Sequence, residues 1–340
     1  MKKMSMLLVA CMLVLGALSG CGNSESSKEK ENKLVVYSPN SEEIIKTIIP
    51  MFEKQTGITV ELVTAGTGEI IKRLQSEKQN PYADVMFGGS MAGYRENKAL
   101  YEPYVSPNDQ DLIEGHRNTT GFATPYISDG SVLLVNKNLV GDIKIEGYAD
   151  LLNPKLKGKI ASADPASSSS AFAQLTNMLK AMGGDYESEQ GWSYVSELVK
   201  NLDGKIASGS GAVHKSVADG EYVVGLTYED PASTYVRNGA PVEVVYPKEG
   251  AVFLDAASGI VKGAPHMDNA KKFIDFILSQ EAQDAFGTQL TNRPLRKDAK
   301  LGDYMTPYSK INMIDEDTDY VSEHKSKIVE KYTDVFTSVK

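Results

Sequence analysis

Cysteine is nearly absent from this sequence, which has two among its 340 residues, Cys11 and Cys21. Cys11 lies within a segment that we predict to be removed, and Cys21 is predicted to become the first residue of the mature chain. The mature chain therefore keeps one cysteine, and an internal disulfide is excluded. A chain of this length does not need one, because it can bury a large apolar core.

Histidine is also scarce, and no two of the four histidines lie three or four residues apart. A zinc site built on a helical histidine pair is therefore not indicated. The sequence also lacks the motifs G-x-S-x-G, G-x-G-x-x-G and G-x-x-x-x-G-K-[ST]. These absences argue against common enzyme sites, and we expect no catalytic residue and no resident cofactor. A secreted phosphate-ester hydrolase with another kind of site stays open as an alternative.

The first 21 residues have the pattern of a bacterial lipoprotein signal peptide. Lys2 and Lys3 precede an apolar run at 6–18, and Leu18-Ser19-Gly20-Cys21 follows. A charged start, a short apolar run and small residues before a cleavage point are typical of secretory signals, and spanning a bilayer needs about 20 apolar residues. We therefore predict a signal peptide at 1–21, lipidation of Cys21 and a flexible tether at 22–32. The protein would then be extracytoplasmic and held at the cell membrane through its lipid anchor only.

Acidic residues outnumber basic ones by 45 to 36, which gives a net charge of -9. Loss of Lys2 and Lys3 with the signal peptide leaves 34 basic residues and a net charge of -11. This balance disfavours nucleic acid as a partner. It leaves the charge of a small ligand open, because a cleft can carry a local field opposite to the global one.

Short β-prone runs alternate with helical patterns early in the mature chain. The runs at 34–37, 58–63 and 83–87 each precede a helical pattern, and in the first helix Ile44, Ile48 and Phe52 lie on one face. This order predicts an α/β fold with a mostly parallel sheet, in which ligands bind beyond the carboxyl ends of the strands.

Two longer β-prone runs, Thr124 to Asn136 and Val242 to Tyr246, separate two such α/β units. We therefore predict two lobes, hinged by two crossover strands, with a cleft between them. Lobe 1 is predicted at 33–126 plus 248–295, and lobe 2 at 127–247. Residues 296–340 are predicted to form a C-terminal helical segment whose lobe the sequence leaves open.

Loops rich in Ser, Thr and Gly follow several predicted strands, and each opens a helix. Helix N-termini present unpaired N–H groups with partial positive charge, so such loops can bind an anion without Lys or Arg. The alternative for each loop is that these residues only cap helices and form turns. The candidates from these loops are Ser38, Asn40, Thr67, Gly68, Gly89, Ser90, Ser168, Ser169 and Ser210.

A second set of candidates carries acidic and aromatic groups. Its members are Asp129, His214, Tyr228, Glu229 and Asp230. They could bind hydroxyl or ammonium groups, or ligate a metal. The alternatives are a structural role for His214 and helix capping by Glu229 and Asp230. Arg293 and Arg296 are expected to pack at the surface or the hinge rather than to contact a ligand.

Several stretches resemble bacterial extracellular solute-binding proteins of the ferric-iron, phosphonate, thiamine and sugar-phosphate type. They are residues 34–90, SDGSVLLVNKN, LLNPKLKGKIASADPASSSSAF, APHMDNAKKFIDFILSQEAQ and TNRPLRKD. The resemblance implies the type II periplasmic-binding fold, in which two α/β lobes close on a ligand. It also implies two partners, the membrane permease and the ATPase of an ABC importer.

In ferric-binding members of that family two adjacent tyrosines supply phenolate ligands, whereas the matching stretch here, Leu226 to Asp230, has only Tyr228. The Ser, Thr and Gly loops fit a phosphate or phosphonate group better. We therefore favour a small anionic solute, a phosphonate or an organophosphate, delivered to the permease by a monomeric protein. Fe(III) bound by His214, Tyr228 and Glu229 is the alternative, and thiamine and carboxylates also stay open.

Overall fold

The structure is a computed structural model of the chain and describes residues 32–207 and 209–339. The predicted signal peptide, the lipidation of Cys21 and almost all of the predicted tether lie outside these residues, as does Ser208. In the described ranges, no helix is both long enough and apolar enough to cross a bilayer.

One sheet of mixed strands runs through both halves of the described chain. Its strands are β1 (Lys33–Ser38), β2 (Thr59–Thr64), β3 (Val85–Ser90), β4 (Thr124–Asn136), β5 (Ile160–Ala161), β6 (Val224–Tyr228), β7 (Val242–Val245), β8 (Phe253–Ile260) and β9 (Arg293–Pro294). They are ordered β2-β1-β3-β8-β4-β6-β5, and β7 and β9 also pair with β4. Strand β8 lies between β3 and β4 although it follows β7 in the sequence, so the chain leaves the first half of the sheet and later returns to it.

Helices cover both faces of this sheet. They are α1 (Glu42–Thr56), α2 (Thr67–Ser76), α3 (Met91–Glu96), α4 (Ser169–Gly183), α5 (Glu189–Leu202), α6 (Ser210–Ala218), α7 (Glu229–Arg237), α8 (Met267–Ile277), α9 (Gln280–Thr288) and α10 (Thr318–Val339). Short 3-10 helices lie at Lys98–Leu100, Pro107–Asp111, Ala149–Leu152, Pro154–Leu156 and Tyr308–Lys310.

Helix α1 shows how the sequence produces these elements. Ile44, Ile48 and Phe52 recur at helical spacing and are all buried. The Ser41 side chain accepts a hydrogen bond from the Ile44 amide and so caps the start. Gly57 ends the helix with φ 71°, a left-handed conformation that glycine adopts readily.

Lobe 1 is built around β1, which pairs in parallel with β2 and β3. One face packs against α1, α8 and α9 in an apolar core that includes Phe52, Phe87 and Phe273. The other face packs against α2 and α3, with Ile70 and Tyr94 buried. Because the three strands are parallel, their carboxyl ends lie at one edge, and the loops that leave this edge are those predicted to form one wall of the cleft.

Lobe 2 is built on the second half of β4, which pairs antiparallel with β6 and β7. Strand β5 pairs in parallel with β6. Helices α4, α5 and α10 cover one face in a core that includes Trp192 and Leu198, and α6 and α7 cover the other.

Strand β4 is the first crossing between the lobes. Its first half, up to Gly130, pairs with β8 in lobe 1, and its second half, from Ser131, pairs with β6 in lobe 2. The sequence predicts the return crossing at Val242 to Tyr246, but β7 lies within lobe 2 and pairs with β4 at Leu133–Asn136. The chain therefore returns after β7, through the residues that lead into β8.

The C-terminal segment crosses between the lobes a third time. Between β9 and α10, Met313 forms a bridge with Ala251 beside the second crossing. Helix α10 then packs on lobe 2, where Val321, Ile328 and Tyr332 join its core. The structure thus assigns the final helix, which the sequence left open, to lobe 2.

Candidate functional site

The three lobe 1 loops converge at Gly88 and Gly89, where β3 ends. Both glycines have positive φ, 113° and 98°. A Cβ added to Gly88 would lie 2.6 Å from the Asn40 Oδ1 atom, and one added to Gly89 would lie 3.6 Å from the Thr67 Cγ2 atom. The loops after β1 and β2 therefore lie against the glycine pair, as the anion hypothesis requires.

Ser38 and Asn40 hold this wall together from inside. The buried Ser38 hydroxyl donates a 2.6 Å hydrogen bond to the Phe87 carbonyl, and the Asn40 side-chain amide donates a 3.0 Å bond to the same oxygen. The Asn40 Oδ1 atom accepts a 2.9 Å bond from the Tyr126 hydroxyl. Both polar side chains thus have internal partners, and their first role is to position the loop.

The helix starts differ in how they are capped. Ser90 and Ser168 each accept a hydrogen bond at 3.3 Å from an amide of their own helix, Gly93 and Ala171 respectively. Helices α2 and α6 instead follow Gly66 and Gly209, and neither start has a side-chain cap among the described residues. The first amides of α2 and α6 are therefore the better anion donors.

Two lobe 2 loops, those before α4 and α6, leave the sheet at neighbouring positions. Ala163 forms a parallel bridge with Ala207, so the loop before α4 and the loop before α6 run side by side. Ser168 is buried and lies 3.2 Å from the Ser170 hydroxyl, whereas Ser169 is exposed. The contacts of Ser168 are thus those of a cap within its own loop.

Ser210, His214 and Tyr228 form a cluster on this lobe 2 wall. Burial raises the pKa of Tyr228, and the nearby Ser210 side chain opposes this rise. The His214 Nδ1 atom lies 3.4 Å from the Thr227 hydroxyl, and the His214 ring centroid lies 6.1 Å from that of Tyr228. Burial lowers the pKa of His214, which favours the neutral imidazole. The cluster therefore offers neutral hydrogen-bonding groups.

Two carboxyl groups, those of Asp129 and Asp230, lie beside this cluster, near the point where β4 passes between the lobes. The Asp230 amide donates a 3.2 Å hydrogen bond to the Asp129 carboxylate. Burial raises the pKa of Asp129 well above its usual range, and the charges of Asp230 and Glu229 raise it further. Two half-buried carboxyl groups so close together favour either a shared proton or a bound cation.

Glu43, which the sequence analysis missed, adds a carboxylate from lobe 1. Burial raises the pKa of Asp230, hydrogen bonding from Thr291 opposes this, and the charge of Glu43 raises it again. Glu43 lies in the first turn of α1, exposed and directly after the Asn40 loop. Its position in the first helical turn after that predicted loop is the signal that could have identified it.

Glu229 is placed differently from its neighbours. Its carboxylate is fully buried and binds Arg293 through two hydrogen bonds, and it also accepts a bond from the Tyr246 hydroxyl. Arg293 thus packs at the hinge, as the sequence predicts. Because Glu229 is already paired, we leave it out of the proposed ligand contacts and out of the alternative iron site.

In the described part of the chain, no other carboxylate takes the place of Glu229 as a ligand in a metal site. Within 32–207 and 209–339, no group of three His, Cys, Asp or Glu side chains is arranged to hold a metal ion. Because Glu229 binds Arg293, only His214 and Tyr228 remain of the three side chains predicted to bind Fe(III).

Comparison with known proteins assigns this chain to a family. The family of bacterial extracellular solute-binding proteins matches residues 34–289. This chain belongs to that family. Its two lobes have the type II periplasmic-binding fold that the resemblance implies, so the predicted family and fold are confirmed.

Relatives within the solute-binding family carry different ligand names. A putative 2-aminoethylphosphonate-binding periplasmic protein of Salmonella typhimurium is 28% identical over 258 residues, 74% of each chain. Iron uptake protein A1 of Synechocystis is 26% identical over 334 residues, 90% of this chain and 91% of the relative. The periplasmic binding protein AfuA of Actinobacillus pleuropneumoniae, solved with fructose-6-phosphate, is 26% identical, with a TM-score of 0.73 over 90% of this chain and 98% of AfuA. These likenesses support a solute-binding role rather than an enzymatic one.

Proposed function

We propose that this protein is the binding subunit of an ABC importer and captures a small phosphonate or organophosphate that also carries an amino or hydroxyl group. Two kinds of group in the loops predicted to line the cleft support this proposal. Uncapped helix starts at α2 and α6 offer amide donors, and Asp129 and Asp230 lie close to Ser210 and Tyr228.

The anionic end would bind the amides at the start of α2 and α6. Thr67 is half-buried and Gly68 is exposed, so the first turn of α2 is open to a ligand. Gly68 carries no side chain to block the approach of an oxygen, and a Cβ built there has no atom within 4 Å among the described residues. The dipoles of both helices favour negative charge at these positions.

The other end would bind the carboxyl groups of Asp129 and Asp230. An ammonium group placed between them would offset their mutual repulsion and favour their ionised forms. A sugar hydroxyl could instead donate to the same oxygens. The name of the 2-aminoethylphosphonate-binding relative supports the ammonium group at this end. The fructose-6-phosphate bound in the AfuA structure supports the hydroxyl group.

The importer role follows from the fold and from the amino terminus. Closure of two lobes around a solute gives a permease a surface that differs between the empty and the loaded protein. We propose that the mature protein is a monomer, attached to the membrane by a lipid on Cys21, that works with a permease and an ATPase.

Thermal melts of the chain lacking residues 1–21 test the proposed ligand class. 2-Aminoethylphosphonate at 100 times its Kd should stabilise the fold by about 2.7 kcal/mol. Ethylphosphonate and ethanolamine each lack one end and should stabilise it much less. Stabilisation by ferric citrate together with a visible phenolate-to-iron absorption band would favour iron instead, and release of phosphate from phosphoethanolamine would favour the hydrolase.

A further inference from the structure

Three consecutive residues of lobe 1, Thr291–Arg293, lie against the start of α7 in lobe 2. The flanking Leu290 and Leu295 are buried in the lobe 1 core. The Thr291 hydroxyl donates to the Asp230 carboxylate and lies 2.7 Å from the Thr234 hydroxyl. The segment therefore links the two lobes through side chains rather than through a crossing of the chain.

Arg293 makes the strongest of these links. Its side chain is fully buried, and its Nε atom donates a 2.7 Å hydrogen bond to the Glu229 Oε2 atom. Its Nη2 atom donates to the Glu229 Oε1 atom and, at 2.8 Å, to the Thr306 carbonyl. A two-pronged bond between a planar guanidinium and a carboxylate fixes both distance and orientation.

All three crossings contact this guanidinium or its strand. Arg293 pairs with Ser128 on β4, the first crossing. The guanidinium carbon lies 5.3 Å from the ring centroid of Phe253, at the end of the second crossing, and 4.5 Å from that of Tyr308 in the third. A change in hinge angle would have to move these groups relative to one another.

We infer that Arg293 is a positioning residue, which acts through Glu229 to set the hinge angle and to hold Tyr228 and Asp230 in the cleft. Glu229 lies between these two candidate contacts in the sequence, at the first position of α7. Fixing its carboxylate therefore fixes the backbone from which both neighbours project. The effect on affinity rests on the proposed function, whereas the effect on the hinge does not.

The test measures lobe separation without any ligand. The chain lacking residues 1–21 has no cysteine, so spin labels at Lys72→Cys on α2 and Ala212→Cys on α6 report the distance between the lobes. The double variant Arg293→Met, Glu229→Leu replaces the buried pair with apolar groups, which cores often tolerate. We expect it to fold and to show a broader distance distribution than the parent.

Arg296→Met is the matched control, because Arg296 binds Asp111 and Asp298 within the lobe 1 side of the hinge. It should leave the distribution unchanged. An unchanged distribution in the double variant would overturn the inference. Should the double variant fail to fold, Arg293→Lys keeps the positive charge but cannot form both hydrogen bonds to Glu229, and it must still broaden the distribution.

Affinity is measured in parallel with 2-aminoethylphosphonate. The double variant should bind it at least about tenfold more weakly, because Tyr228 and Asp230 lose their fixed positions. A broadened distribution with unchanged affinity would contradict the positioning of the cleft residues. If the parent itself does not bind this compound, the proposed ligand fails, and the distance measurement still decides the hinge role.

Discussion

The guanidinium of Arg95 donates a 2.8 Å hydrogen bond to the hydroxyl of Thr318. Arg95 lies on α3 in lobe 1, and Thr318 begins α10, which packs on the core of lobe 2. The contact therefore joins the lobes where the third crossing ends. Because α3 starts directly after Ser90, it also connects α10 to a loop of the cleft wall.

Loss of this contact should make the loaded protein open faster. Arg95→Gln is expected to raise the dissociation rate of the ligand by less than about fivefold, since exposed polar pairs contribute little. The effect should shrink as salt is added, because Arg95 also lies 3.8 Å from the Asp319 carboxylate and salt screens this ion pair. Stopped-flow release at low and high salt measures it, with Arg117→Gln as the control because Arg117 bonds within lobe 1, to the Gln110 carbonyl. Equal rates for both variants at low salt would show that the contact has no role in closure.

Thr67 and Ser168 should respond differently to loss of their hydroxyl groups. Thr67→Val is expected to weaken 2-aminoethylphosphonate binding by about tenfold with little change in stability. Ser168→Ala is expected to lower the free energy of unfolding by about 1 kcal/mol, because it removes the cap of α4, and to leave affinity nearly unchanged. Calorimetry and urea unfolding separate the two. The reverse pattern would assign the ligand contact to Ser168.

Gly88 should not tolerate a side chain. Gly88→Ala introduces a Cβ at φ 113° that would lie 2.6 Å from the Asn40 Oδ1 atom, and such strain costs on the order of 1–3 kcal/mol. Gly68→Ala is the control, because its Cβ would lie in open space in the first turn of a helix. Urea unfolding of the ligand-free proteins should show a loss of stability for Gly88→Ala only. Equal stability of the two variants would contradict the described loop conformation.

Stability should depend on pH through Asp129. Burial raises the pKa of this carboxyl group, so Asp129 costs the ligand-free fold nothing below its unfolded pKa, and the cost grows as the pH rises towards the raised value. Asp129→Asn keeps an oxygen that can accept from the Asp230 amide. The variant should therefore melt higher than the parent at neutral pH, with the difference vanishing near pH 4, the usual range of aspartate at about 3.9. A difference independent of pH would contradict the described environment of Asp129.

The family fold and the lobe 1 wall could be read from local sequence. Ile44, Ile48 and Phe52 have the helical period that buries them, and Gly88-Gly89 ends a buried strand where loops must approach closely. The return crossing could not be placed in the same way. A short β-prone run has the same sequence pattern whether it pairs within lobe 2, as β7 does, or passes between the lobes.

Individual site residues were harder to predict because their roles depend on distant partners. A serine before a helix is the signature of a cap and of an anion contact alike, and Ser168 proves to be a cap. Glu229 reads as a cleft acid beside Tyr228, yet its partner, Arg293, lies 64 residues further along the chain. Glu43 was overlooked because an acidic residue in a first helical turn is common for reasons of the helix dipole alone.

A crystal structure of the protein with 2-aminoethylphosphonate would show whether the helix starts and the two aspartates hold this ligand. We expect closed lobes, phosphonate oxygens within hydrogen-bonding distance of the first amides of α2 and α6, and the ammonium group between Asp129 and Asp230. A phosphonate bound elsewhere, with those amides facing solvent, or a metal ion held by Tyr228 in its place, would contradict this expectation.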